Sequence, residues 1–380
     1  MNTATSTCTL LQYYQINSGE ELDITPASTL LIDSMFLPNN VAEIGSIANS
    51  GTIVVESGAT LVIQDYASVI NRGTIAVNYG GTLDISSTKL DSGTEYMLDQ
   101  PSGSSGNIMN SGAINIYESA WPGIYGGLVR SSGTIYDDTN GGAGINVQTL
   151  TNSGTITIVG TGSGIIADGT NSGTIIDEGS GYGLDTASFS NSGAINLENY
   201  GTYSEGIIDS GSLSNSGTIT ITTTGTNSKG IAVCCAGGSL TNTGTLNVET
   251  DTTNSGFPLG ISVWSSAVLN NMATGVIDFT SDTSGGGQLS TGSLGSVGSV
   301  DNYGTMESSD NSGAVYNGGA IYNECGSFFS QIGVIGNSPV FLACLPAPEF
   351  PLGTIFSILT PLAAIGAFFV AKGAFRKNGT

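Results

Sequence analysis

The sequence predicts an all-β chain, a single-stranded right-handed parallel β-helix (a solenoid), followed by one C-terminal transmembrane helix. Three observations carry this. The phrase Asn-x-Gly-(Thr/Ala)-(Ile/Leu) returns along the chain, at intervals of about 19 to 24 residues where copies are adjacent, which is the spacing of stacked repeats rather than of a globular core. An apolar pair stands four and six positions after each Asn, as in Ile53 and Val55 or Ile75 and Val77, and that alternation is the period of a strand with one face buried. Finally, Leu352 to Ala371 is free of charge and long enough to cross a hydrocarbon core of ~30 Å.

The phrase begins at Asn49, Asn71, Asn110, Asn152, Asn171, Asn191, Asn215 and Asn242, then at Asn302, Asn311 and Asn317, with a Ser-led variant at Ser131. A second phrase, Gly58-Ala59-Thr60-Leu61-Val62-Ile63 and Gly81-Thr82-Leu83-Asp84-Ile85, shares the step that separates Asn49 from Asn71. Each turn therefore holds at least two strands joined by glycine corners. The Gly two places after each Asn is expected to take φ > 0 and turn the chain before the strand. Turns stacked at ~4.8 Å would bring the eight regularly placed asparagines into a buried ladder of amides, each donating to its neighbour. N-glycosylation is the competing reading, but Gly occupies the place where Ser or Thr is required. Only Asn378-Gly379-Thr380 has the acceptor pattern.

Residues 1–330 read as the repeat ectodomain, 331–350 as a linker and 351–380 as membrane helix and basic tail. Cys8 to Ile24 is expected to form the first turn or cap, since an open solenoid end exposes strand edges. The polar stretch 86–109 reads as an insert looping from one corner, and the Gly/Ser-rich stretch 281–300 as thin turns or a break. Regular winding is expected to end after Asn302, where Asn311, Asn317 and Asn323 come six residues apart. Met1 to Leu11 lacks the basic start and long apolar run of a secretory signal. An external location then requires a longer precursor or another export route.

Composition narrows the function. The chain has 57 Gly and no His, and all thirty acidic side chains lie at or before Glu349 against four basic ones, a formal −26. Nucleic acid is excluded as a partner, because phosphate neutralisation needs clustered Lys and Arg. Without His, neither a Ser-His-Asp nor a Cys-His arrangement can be built. Asp137-Asp138 and Asp177-Glu178 are the best carboxylate pairs, and both read as solvated corners. No cofactor or metal site is expected. Gly141 to Asn146 nears a calcium-repeat pattern but occurs once, with Asn where the ligand Asp belongs. Trp121, Trp264 and the tyrosines could line a carbohydrate-binding face or simply cap solenoid edges. Of the five cysteines, Cys234 and Cys235 are adjacent, while Cys325 and Cys344 flank the end of the repeats and either close a loop or pack as thiols.

The end of the chain carries the most specific signal. Pro348-Glu349-Phe350, the apolar span and the cluster Lys372, Arg376, Lys377 follow in that order, and basic residues after a span hold that end in the cytoplasm. The arrangement resembles the three-part PEF/PEFG sorting signal of archaeal surface proteins handled by archaeosortase, with Pro351 where the PEFG form has Gly. That resemblance implies export, removal of the tail near Pro348–Phe350 by a sorting transpeptidase and transfer to a lipid. The repeats are separately similar to the Asn-x-Gly-Thr-Ile arrays of adhesins and autotransporter-like surface proteins. The sequence thus points to a non-enzymatic structural or adhesion protein of the cell surface, meeting carbohydrate or envelope protein. The alternatives are a surface polysaccharide-degrading β-helix enzyme and a carbohydrate-binding module.

Overall fold

The computed structural model describes residues 6–341 apart from 37–41, 65–66, 87–97, 101–105, 118–122, 140–141, 161–162, 180, 200, 202, 225–227, 236, 251–258, 265, 282–286, 294–295, 309–313, 318, 324–327, 330–333 and 339. Contacts divide the chain after Leu342, and the first unit alone falls among the described residues. Pro348, Glu349, Phe350, Lys372, Arg376, Lys377, Cys325, Cys344 and the span Leu352 to Ala371 lie outside them. Among the described residues no helix is long and apolar enough to cross a membrane.

The first unit is a parallel β-helix with three strands in each turn. One complete turn runs Ser46–Asn49, Thr52–Val55, Thr60–Gln64, and the next Ser68–Asn71, Thr74–Val77, Thr82–Ser86. Each strand pairs in parallel with its counterpart one turn away, in register: Asn49 with Asn71, Ile53 with Ile75, Leu61 with Leu83. The strands form three columns, I, II and III, in chain order within a turn. Among the described residues column III is a fourteen-stranded sheet, and columns I and II run into one another as twenty-four strands. Alternation decides what is inside: Ile53, Val55, Leu61 and Ile63 are buried, as are Ile75, Val77, Leu83 and Ile85 above them. One apolar core, mostly aliphatic, continues along the axis.

The first turn is Tyr13–Ile16, Glu21–Ile24 and Ser28–Ile32, with Ser6–Leu10 as the bottom strand of column III. The stretch 86–109 is not a plain excursion, since Leu98–Gln100 pairs in column I and Asn107–Asn110 in column II. The Gly/Ser-rich stretch likewise contributes Gly287–Ser290 and Ser299–Asn302 to one turn, with a small antiparallel hairpin, Gly292–Ser293 with Ser296–Val297, between them. Winding continues past Asn302. Ala314–Asn317 and Ala320–Asn323 are successive strands of one turn, which is why their asparagines lie six residues apart, and Val334–Gly336 and Val340–Phe341 stack beyond them.

The repeat changes character near its middle. In the four strands Ile145–Asn152, Ile165–Asn171, Leu184–Asn191 and Glu205–Asn215 the chain passes from column I to column II without a break in the strand. The corner survives as register shifts between Asn146 and Thr149, Ile166 and Gly169, and Thr186 and Ser188. Asp168 holds one of these bulges, its Oδ1 accepting from the Ala187 and Ser188 amides at 2.9 and 2.7 Å and from the Thr186 hydroxyl at 3.2 Å.

Candidate functional site

The asparagines form two ladders at different corners. Asn49 Nδ2 donates to Asn71 Oδ1 at 2.8 Å at the end of column I, and each of the two also donates to a backbone carbonyl of the following column II strand, Asn49 to Thr74 and Asn71 to Asn107, both at 3.0 Å. Asn110 ends a column II strand and pairs with Val77, one corner further round the turn. From it the second ladder climbs: Asn110 to Ser131 Oγ at 3.1 Å, Asn152 to Asn171 and Asn171 to Asn191 at 2.8 Å, Asn191 to Asn215 at 2.9 Å, Asn215 to Asn242 at 2.8 Å. It goes on through Asn271, Asn302 and Asn323. Asn271 escapes the phrase because its Gly, Gly275, stands four residues on rather than two.

Each amide meets its remaining needs locally. Asn171 Nδ2 also lies 3.1 Å from the Ala194 carbonyl, and Asn152 Oδ1 accepts from the Gly154 amide at 3.1 Å. A buried polar column satisfied on every side costs little. Beside it runs a column of exposed hydroxyls, Ser153, Ser172, Ser192 and Ser216, each donating to a carbonyl of the turn below at 3.3 to 3.4 Å.

The corner glycines do not have the expected φ > 0. The positive-φ glycines are others, such as Gly58, Gly80 and Gly127. What the phrase glycines lack is room: a Cβ on Gly133 would lie 2.1 Å from the Gly112 carbonyl oxygen, and one on Gly193 the same distance from that of Gly173. Stacked corners approach so closely that only Gly fits.

Asp137 and Asp177 are not solvated. They stand in the inner row of column III, Asp137 between Ile116 and Ile158 and Asp177 between Ile158 and Leu197, and they are 0% and 5% exposed. Burial pushes both carboxyls up to about 7. Asp177 Oδ1 accepts from the Gly179 amide at 2.7 Å. Neither oxygen of Asp137 completes a hydrogen bond of normal geometry; the Thr139 hydroxyl and amide offset only part of the rise. Asp209, also buried, is raised to about 6 by burial against the pull of the Gly211 and Leu213 amides. The repeat itself held the signal. Asp137 and Asp177 fall six places after Ser131 and Asn171, where turns such as those led by Asn110, Asn152, Asn191, Asn215 and Asn242 carry an inward Ile, Leu or Val.

Among the described residues, chemistry-bearing side chains also converge outside the ladders. Lys229 forms an ion pair with Glu205, and its Nζ lies 4.8 Å from the centroid of the Trp264 ring. Asp185 is raised by burial and by Glu205. Cys234 follows the same strand, its thiol pushed up to about 12 by burial, by Cys235 and by Glu205 and Asp209. On column III, Tyr117 and Tyr136 have ring centroids 5.9 Å apart with planes tilted by 48°, and Asn115 Nδ2 donates to Asp84 Oδ1 at 2.7 Å beside them. Among the described residues no group of three or more His, Cys, Asp and Glu is placed to hold a metal ion. The shallow grooves at Met109 and Arg130, at Tyr79 and Gly133, and at Ser266 and Tyr322 have no carboxylate in their walls.

No family model matches this chain, and no curated protein matches it. Among solved structures it is similar to a crystal structure of a TibC-catalyzed hyper-glycosylated TibA fragment, at 14% identity over 89% of this chain and 98% of that one, with a TM-score of 0.26.

Proposed function

We propose that this chain is a non-enzymatic cell-surface rod, structural or adhesive, exported and held to the envelope through its C-terminus. The observation that carries the reading is the second ladder, a hydrogen-bonded column of amides running from Asn152 to Asn323 above the Asn110–Ser131 pair. Nearly every inward side chain is committed to stacking one turn on the next, which suits a spacer or display surface. Crossovers between parallel strands wind right-handed almost without exception, and the rod is read with that hand. The raised carboxylates Asp137 and Asp177 are sealed inside, so a substrate outside the rod could not touch them. That weighs against the polysaccharide-degrading alternative.

At the C-terminus the reading rests on sequence. Leu352 to Ala371 followed by Lys372, Arg376 and Lys377 supports a membrane anchor with the rod outside, and Pro348-Glu349-Phe350 supports its replacement by lipid through a sorting transpeptidase. Protease shaving of intact native cells tests the location: peptides from residues 6–341 should be released without lysis, and their protection until lysis would overturn it. Mass spectrometry of the mature end tests the sorting step, since a surface form that keeps Phe375-Arg376 has not been processed.

A carbohydrate-binding role is favoured by one observation. Tyr117 and Tyr136 offer an aromatic surface bordered by Asp84, Asn115 and Asp138, and aromatic faces flanked by polar groups suit sugar rings. A glycan array in which Tyr117→Ala and Tyr136→Ala abolish binding would support it; binding unchanged by both would remove it.

A further inference from the structure

The corner after Lys229–Val233 places two thiols together. Adjacent residues of an extended strand point to opposite faces, yet the sulfurs of Cys234 and Cys235 are 3.2 Å apart. The cause is the backbone. Cys235 has φ +71°, in the left-handed region that a side chain enters only at a cost, and this turns its Sγ back onto the side of Cys234. The corner is otherwise well held: the Cys234 amide donates to the Asp209 carbonyl at 2.9 Å, and the Gly238 amide to the Cys235 carbonyl at 3.2 Å. Cys235 is exposed and Cys234 half-buried, both as free thiols. Nothing in the turn requires sulfur, and Gly or Asn would take that φ more cheaply.

We propose that Cys234 and Cys235 are a paired redox site that closes into a disulfide across a single peptide bond when the chain meets a small disulfide oxidant of the kind present in oxidising compartments. The exposed Cys235 reacts first. Its thiolate attacks the small disulfide, RSSR, forming Cys235–S–SR and releasing RS⁻. Cys234 then gives its proton to solvent and attacks the Cys235 sulfur, expelling the second RS⁻. Two protein thiols are oxidised and one RSSR is reduced to two RSH. Burial keeps Cys234 protonated, so it serves as the resolving rather than the attacking sulfur. The sulfurs need to approach by about 1.2 Å to reach bonding distance. Neighbouring Cα atoms sit ~3.8 Å apart, inside the ~4.4 Å lower end of ordinary disulfides, so the closed pair is strained and readily reopened.

The test uses the full chain incubated with oxidised glutathione, denatured, alkylated with iodoacetamide and cut after acidic residues. Cleavage at Asp209 and Glu249 isolates residues 210–249, which contain Cys234 and Cys235 and no other cysteine. Its mass should fall by two hydrogens with no alkyl group added, and dithiothreitol should restore two alkylatable thiols. Glutathione retained on the segment, two alkylated thiols or a link to Cys8 would overturn the proposal. Cys234→Ser should trap glutathione on Cys235, while Cys235→Ser should leave Cys234 unmodified. An adduct on Cys234 and none on Cys235 would contradict the assigned order.

Discussion

Residues 46–86 and residues 145–215 are two versions of the same coil. In the first, three short strands meet at distinct corners and the asparagines end column I. In the second, columns I and II are joined by long strands, the corner between them shrinks to a bulge, and the asparagines end column II. The Asn-x-Gly phrase thus specifies a corner without specifying which one. The changeover falls between Asn71 and Asn110, where Val77 occupies the ladder position one turn before an amide does.

The largest expected effect separates the plain turns of residues 46–86 from two later turns by pH. Only the turns at 124–138 and 165–177 have an inner column III row carrying Asp137 or Asp177. Each carboxyl is neutral in both folded and unfolded chains below about pH 4, so its contribution is complete there. As pH rises towards the folded value of about 7, the unfolded chain ionises freely and stability is lost. Some three pKa units correspond to at most about 4 kcal/mol per group. Asp137→Asn and Asp177→Asn should raise the melting temperature at pH 8 but not at pH 4. Parallel shifts at both pH values would show that neither carboxyl titrates inside the rod.

Next in size is the corner itself. Gly193→Ala drives a Cβ into the Gly173 carbonyl and should cost about 3 kcal/mol, as overpacking against unyielding backbone does. Gly19→Ala, at φ +84° in open space, carries only backbone strain and should cost less in the same denaturant titration. Equal losses would mean that conformation, not contact, selects glycine at the stacked corners.

Much of this was legible in the sequence. The phrase marked the strands, parity marked Ile53, Val55 and their equivalents as core, and the amide ladder follows from equal spacing. The displaced ladder was not legible, because Asn71 and Asn110 are followed by like residues although one enters column II and the other column III. The role of the corner glycines was not legible either, since freedom of φ and absence of a side chain leave the same letter in the sequence. For Asp137 and Asp177 residue type and position in the repeat conflict: a carboxylate belongs in water, yet the sixth place after Ser131 and Asn171 faces inward, and position prevails.

A smaller effect concerns single rungs. Asn171→Leu strands the amides of Asn152 and Asn191 and should cost roughly 1–3 kcal/mol. Asn196, exposed on a neighbouring strand, should be nearly silent when replaced by Leu. Thermal melts of the two variants that coincide would count against the ladder as a stabilising column.

The displacement of the ladder is the central claim, and a cross-link reads it directly. In a background with the native cysteines replaced by Ser, Cys at 76 and 109 occupies paired outward positions of neighbouring turns, Ala76 opposite Met109, within disulfide reach. Cys at 70 and 109 would pair instead if Asn71 and Asn110 were rungs of one unbroken ladder. Rapid oxidation of the 76/109 pair, with 70/109 remaining reduced, is the predicted result; a cross-link at 70/109 with 76/109 left open would contradict the two-ladder account.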